Sequence, residues 1–119
     1  MEEYQLHLHF SYFNAEYNKM YFVQHDHPQT AHVLKRLYPH EVPTSIPVSL
    51  PRGVSARDLP QSIKAKIGLK CIITVTSRYI NLRSRADHNF GDQVKTIALQ
   101  LVDIADAPQE RVHVRVTNL

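Results

Sequence analysis

The sequence is short of several things that whole classes of protein depend on. Its 119 residues hold no tryptophan, three glycines and a single cysteine. Cys71 has no intramolecular disulfide partner, so the fold does not rely on an oxidising compartment. Flanked by Ile72, Ile73 and Val75, it reads as a small core hydrophobe. Three glycines leave little material for a nucleotide cradle, and there is no phosphate-binding glycine loop, nucleophile elbow or pair of catalytic carboxylates. Apolar runs such as Cys71-Ile72-Ile73 fall far short of the ~18 residues of a membrane helix. Met1-Glu2-Glu3-Tyr4 is acidic, where a secretory signal needs a basic start and an apolar stretch. The expectation is an intracellular protein, nuclear or cytoplasmic, with no catalysis, no cofactor and no membrane partner.

What is present describes one folding unit. The chain falls within the ~100–150 residues of a common domain. Its 43% hydrophobic and 21% charged residues lie near the globular average, with seven prolines. The net charge of +3 is unevenly spread. Residues 1–51 carry three basic against five acidic side chains, a balance of −2, and residues 96–119 two against three, a balance of −1. Residues 52–95 carry nine against three, a balance of +6. A basic centre in a nearly neutral chain fits either an anionic partner or a solvated basic face.

Periodicity assigns the elements. Tyr4 to Phe13 alternates, with Leu6, Leu8 and Phe10 on one face and His7, His9 and Ser11 on the other, which is a strand. Asn14 to Lys19 has turn character and Met20-Tyr21-Phe22-Val23 is rich in strand formers, so 4–24 is expected to be a hairpin. Val33, Leu34 and Leu37 predict a short helix over Gln29 to Tyr38. Prolines at 39, 43, 47 and 51 make 39–56 an irregular connection, within which Ile46 to Leu50 can form a short edge strand. A second short helix is expected from Asp58 as cap, Pro60 in the first turn and Gly68 past the end, with Ile63 and Ile67 inward.

The strongest strand signal runs from Leu69 to Leu82, with Cys71, Ile73 and Val75 on one face. Ile80 and Leu82 have the opposite parity, which predicts a β-bulge between Ser77 and Tyr79. After a polar loop over 84–92, Val94 to Asp103 is a strand burying Ile97, Leu99 and Leu101, and Arg111 to Val116 alternates as a last one. The class is mostly β with one or two short helices, and few strands with one strongly bent favour a small barrel.

Eight histidines call for a metal test. His7 and His9 share a strand face, and His25-Asp26-His27 repeats the spacing, so the four imidazoles could meet across the first hairpin. No cysteine pair or zinc-hydrolase helix motif accompanies them, so no metal site is expected. His32, His40 and His88 are scattered.

Three stretches together resemble a known arrangement. Ile72-Ile73-Thr74-Val75-Thr76-Ser77-Arg78 is followed by a polar loop with Gly91, then by Leu99-Gln100-Leu101-Val102-Asp103 and Val112-His113-Val114-Arg115, after an approach through Leu59-Pro60. This looks like the opening three strands of an OB-fold and is most similar to the single-strand DNA-binding domains of the replication protein A large subunit. The match covers residues 57–116. It implies a single OB-like β-barrel domain over 1–119, closed either by the N-terminal hairpin, within 1–24, or by a partner. It also implies a non-catalytic protein that binds single-stranded nucleic acid, DNA favoured over RNA, in DNA replication, repair or a viral equivalent.

The residues suit that role. Arg78, Arg83, Arg85 and Lys95 supply charge for phosphates, Tyr79 and Phe90 supply faces for bases, and Asn81 can bond a base edge. Arg111, His113 and Arg115 line the outer face of the last strand. The competing class is a structural or adaptor subunit that binds another protein or a second copy of itself through β-edges and the proline-rich segment.

Overall fold

The computed structural model describes residues 2–83 and 93–108. The loop over 84–92 and the strand expected at 111–116 lie outside the described residues. The alternating N-terminal block becomes β1 (Glu3–Asn14), which pairs antiparallel with β2 (Lys19–Gln24) as the expected hairpin. The turn between them is built by Asn14, whose Oδ1 accepts the backbone N–H groups of Glu16 and Tyr17, and by Asn18 at φ 54°. Asparagine is one of the few side chains that adopts such a φ readily. Helix α1 (Pro28–Leu37) follows, burying Thr30, Leu34 and Leu37, then β3 (Ile46–Ser49), the one-turn helix α2 (Gln61–Lys64), β4 (Lys70–Arg83) and β5 (Gln93–Asp106).

The five strands close into a ring in the order β1-β2-β3-β5-β4, with β4 returning to β1. All neighbours are antiparallel except β3 and β5, which run parallel. The N-terminal hairpin therefore closes the sheet, and no partner is needed for closure. The inward residues form one core. Leu6, Leu8, Phe10, Met20, Phe22, Ile46, Val48, Cys71, Ile73 and Val75 are fully buried, joined by Leu99 and Leu101 of β5, Leu34 of α1 and Ile63 of α2. Phe10 and Phe22 stack at its centre with ring centroids 4.8 Å apart. Among the described residues no helix is long and apolar enough to cross a membrane.

Several expectations are corrected. β4 and β5, which resembled opening strands, are the fourth and fifth in the chain, because β1 to β3 already occupy residues 3–49. β3 is not an edge strand: it lies between β2 and β5, although its pairing with β5 is confined to Ser49 and Gln100. Asp58 does not cap α2, whose N-cap is Pro60 without a side-chain bond. Ile67 is exposed, because α2 stops at Lys64 and the position four residues after Ile63 falls in the following turn. Gly68 holds φ +90° there and donates its N–H to the Phe10 carbonyl at 2.7 Å.

The bulge is also elsewhere. Pairing from Val75 to Arg83 is unbroken, and the register shifts between Thr74 and Val75 instead, with Val102 of β5 as the extra residue. The physical reason is that β1 leaves β4 at Thr76 and β3 meets β5 no further than Gln100. Beyond these points β4 and β5 pair only with each other among the described residues, so Ile80 has the other parity without vacating a position of the core cluster.

Two consequences follow for stability and reactivity. Phe22→Ala removes one partner of the central stack, and denaturant unfolding is expected to show a loss of ~3–5 kcal/mol. Burial pushes the Cys71 thiol up to about 11. A thiol reagent at neutral pH should leave the native protein unmodified and label Cys71 once denaturant is added.

Candidate nucleic-acid interface

The register defines a polar row around the outside of the ring. Asn14 stands opposite Lys19, Lys19 opposite Ser49, Ser49 opposite Gln100, Gln100 opposite Thr76, and Thr76 opposite Glu3. The circuit returns to β1 at Glu3 rather than Asn14, which is the stagger that closing a tilted sheet requires. Side chains fix parts of this row. Lys19 Nζ donates to Ser49 Oγ at 2.7 Å, and Gln100 Nε2 donates to the Leu50 carbonyl at 3.3 Å.

Beside the row, Tyr12 and Tyr21 stack with centroids 4.6 Å apart and planes within 6°. Simple alternation from Phe10 would turn Tyr12 inward. The register shift between Phe10 and Tyr12 turns it outward instead, where it is 47% exposed, and packs Phe13 against the core. Tyr21 stands two residues from Lys19 on the same face of β2, so an aromatic pair and an ammonium are adjacent.

The row continues into a cleft of about 520 Å³ between β3, β4 and β5, lined by Ser49, Pro51, Arg52, Thr76, Ser77, Arg78 and Ala98 to Val102. Its lining holds two guanidinium groups and no carboxylate. Arg52 and Arg78 are both exposed and form no ion pair among the described residues. Such a surface attracts a polyanion.

The sequence-derived site residues separate on this frame. Arg78 lines the cleft. Tyr79 is 66% exposed, but as Arg78's neighbour along a strand it faces the opposite side of the ribbon. In register, Asn81 stands opposite Lys95 and Arg83 opposite Gln93, at positions of the same parity as Tyr79. Arg85, Phe90, Arg111, His113 and Arg115 lie outside the described residues. Tyr12, Tyr21, Lys19 and Arg52 were missed. The signal for the first of these is the Tyr12-Phe13 pair, where one of two adjacent aromatics has to leave the alternation.

The histidines meet in another way than a metal would use. His7 and His27 stack with centroids 3.9 Å apart and planes within 6°, and His25 meets His27 edge-on at 6.3 Å. A metal lies in the plane of each imidazole that ligates it, and two parallel planes at that spacing share no such point. Among the described residues no three His, Cys, Asp or Glu side chains are grouped to hold a metal ion. Comparison of the chain with protein-family models, with curated proteins and with solved structures finds no match.

Proposed function

We propose that the chain is an OB-like, non-catalytic domain that binds single-stranded nucleic acid, in DNA replication, repair or a viral equivalent. The observation that carries this reading is the outer track from the Tyr12–Tyr21 stack through Lys19 to Arg52 and Arg78, laid across a five-stranded ring. OB-folds are five-stranded Greek-key barrels that bind oligonucleotides on the face of their second and third strands and on the loops beside it. Here β2 and β3 carry Tyr21, Lys19 and Ser49 on that face. The parallel β3–β5 closure gives the ring its crossover connection. A single strand needs cations along its backbone and π-faces for its bases, and both are present in series.

In this reading Tyr79, Asn81, Arg83 and Lys95 of the ribbon are a second set of contacts, on the side opposite Arg78, and Arg85, Phe90, Arg111, His113 and Arg115 are contacts proposed from the sequence alone. DNA is favoured over RNA. The second reading, an adaptor that binds a protein or a further copy of the chain, is favoured by the ribbon itself, whose strands beyond Thr76 and Gln100 pair only with each other among the described residues.

A salt titration with a labelled oligonucleotide decides between them. Affinity should fall steeply with salt, and the double change Arg52→Ala with Arg78→Ala should flatten the log–log slope by roughly 1.4, at ~0.7 per phosphate contact. Tyr21→Ala should weaken binding about five- to a hundred-fold, equivalent to ~1–3 kcal/mol of stacking, with the slope nearly unchanged. Absence of binding at low salt, or a slope indifferent to both arginines, removes the outer track and leaves the adaptor reading.

A further inference from the structure

Helix α1 begins on a histidine cap that works in only one protonation state. His27 is its N-cap, with Pro28 at the first helical position. The Thr30 backbone N–H donates to His27 Nδ1 at 3.2 Å, and the Thr30 hydroxyl lies 2.9 Å from the same nitrogen. A backbone N–H can only donate, so Nδ1 presents its lone pair and the ring is neutral with its proton on Nε2. The Thr30 hydroxyl then donates to Nδ1 and accepts the backbone N–H of His7 at 2.8 Å. Thr30 is almost fully buried, so one hydroxyl joins the cap of α1 to the ladder of β1. The two imidazoles at this joint are the stacked pair.

We propose that this joint is an acid-operated latch: protonation of the His7–His27 pair breaks the cap and releases α1 from β1 while the five-stranded ring stays paired. A proton on Nδ1 abolishes the acceptor for the Thr30 N–H and reverses the bond to its hydroxyl. It also sets a positive charge at the positive end of the helix, face to face with a second imidazole. The titratable and charged groups around the pair are mostly basic. His9 lies on the same strand as His7. Lys70 of β4 acts electrostatically on His25 from across the sheet. His32 of α1 lines the same groove as the stacked pair. Asp26 is exposed and forms no ion pair with any of them among the described residues. His25 adds a buried Nε2 with no hydrogen-bond partner among the described residues.

The direction of the pH effect agrees with this geometry. Burial, and then the neighbouring His27, lowers His7 below the ordinary imidazole value of 6.5. Burial, Lys70 and the surrounding imidazoles do the same for His25. The unfolded segment therefore takes up protons before the folded one. The stabilisation is complete above the unfolded value and is lost as pH falls through the folded ones. Release stays local because no residue of 28–37 takes part in a strand ladder.

The test is amide hydrogen exchange by NMR on the whole chain at about pH 7.5 and about pH 5, each amide referred to its intrinsic rate. Protection of Ala31 and Tyr38, which donate to the His27 and Leu34 carbonyls, should fall by at least about tenfold. The β1–β4 ladder should hold its protection. His27→Asn keeps an N-cap acceptor without a titrating ring, so its α1 should remain protected at the lower pH. Should that variant not fold, His7→Phe keeps the stack with one titrating ring fewer and should reduce the fall. The proposal is overturned if α1 of the unmodified protein keeps its protection at the lower pH. It is equally overturned if helix and ring lose protection together, or if the folded variant shows an unchanged fall. None of these outcomes depends on the nucleic-acid reading.

Discussion

The structure depends on one strand serving two neighbours. β1 pairs with β4 through Glu3 to His9 and with β2 through Leu8 to Asn14, so only Leu8 and His9 are paired on both sides. A strand shared in this offset way has to cross the ring obliquely, and the shift between Phe10 and Tyr12 accommodates the change of neighbour. The chain past the overlap is not left open: Phe10 donates to the Leu69 carbonyl and accepts from Gly68. Because β1 is fixed at both edges, Leu6, Leu8 and Phe10 point into the centre and their partners arrive from both sides. Cys71 and Ile73 come from β4, Met20 and Phe22 from β2.

The same closure decides what the outside can do. Closing a sheet places outward residues of all five strands on one continuous surface, so residues distant in sequence become neighbours without any loop to hold them. Lys19 and Gln100 meet across Ser49 in this way. Their hydrogen bonds use only part of their capacity. An ammonium has three donors, and the bond to Ser49 occupies one of them. Among the described residues the lysine is thus held in place with donors remaining, which reduces the ordering cost of contacting an anion. The cleft arginines are exposed and have no such tether among the described residues.

How much of this was legible in the sequence follows from where period two is enforced. The hairpin over 4–24, helix α1, β3 and the long strands from Lys70 and from Gln93 were legible because one side of each faces a core that admits only apolar residues. The failures fall where that pressure stops. Ile80 and Leu82 suggested a bulge because the parity argument assumed a core beside them, whereas among the described residues this stretch of β4 pairs with β5 alone. Tyr12 escaped notice because a one-residue shift, invisible in composition, moves it from the expected inner face to the outer. Strand order was not legible at all: alternation specifies a face and never a neighbour, so β4 and β5 read as well as opening strands as they do as closing ones. Of the candidate site, Arg78 was found through its charge, whereas Arg52 lay in a proline-rich stretch that carries no periodic signal. The contact between His7 and His27 depends on where α1 docks, which no spacing records.

A ring held by ladders and a helix held by a cap respond to different variables. The ladders join backbone groups that do not titrate, and their inner face excludes water, so salt and moderate pH act on them weakly. The attachment of α1 combines apolar contact through Leu34 and Leu37 with the polar joint at Thr30. The apolar part is non-directional and tolerates displacement, whereas the joint requires one tautomer and one geometry. A helix attached by both is positioned by the weaker but more exacting contact. The proposed outer track lies on the ladders except for Arg52 in the turn after β3, and the histidine joint ties β1 to the attachment. The surface proposed to meet a polyanion is therefore built mainly on the part of the molecule least able to rearrange, and the cap proposed to respond to protons lies where the helix joins that part.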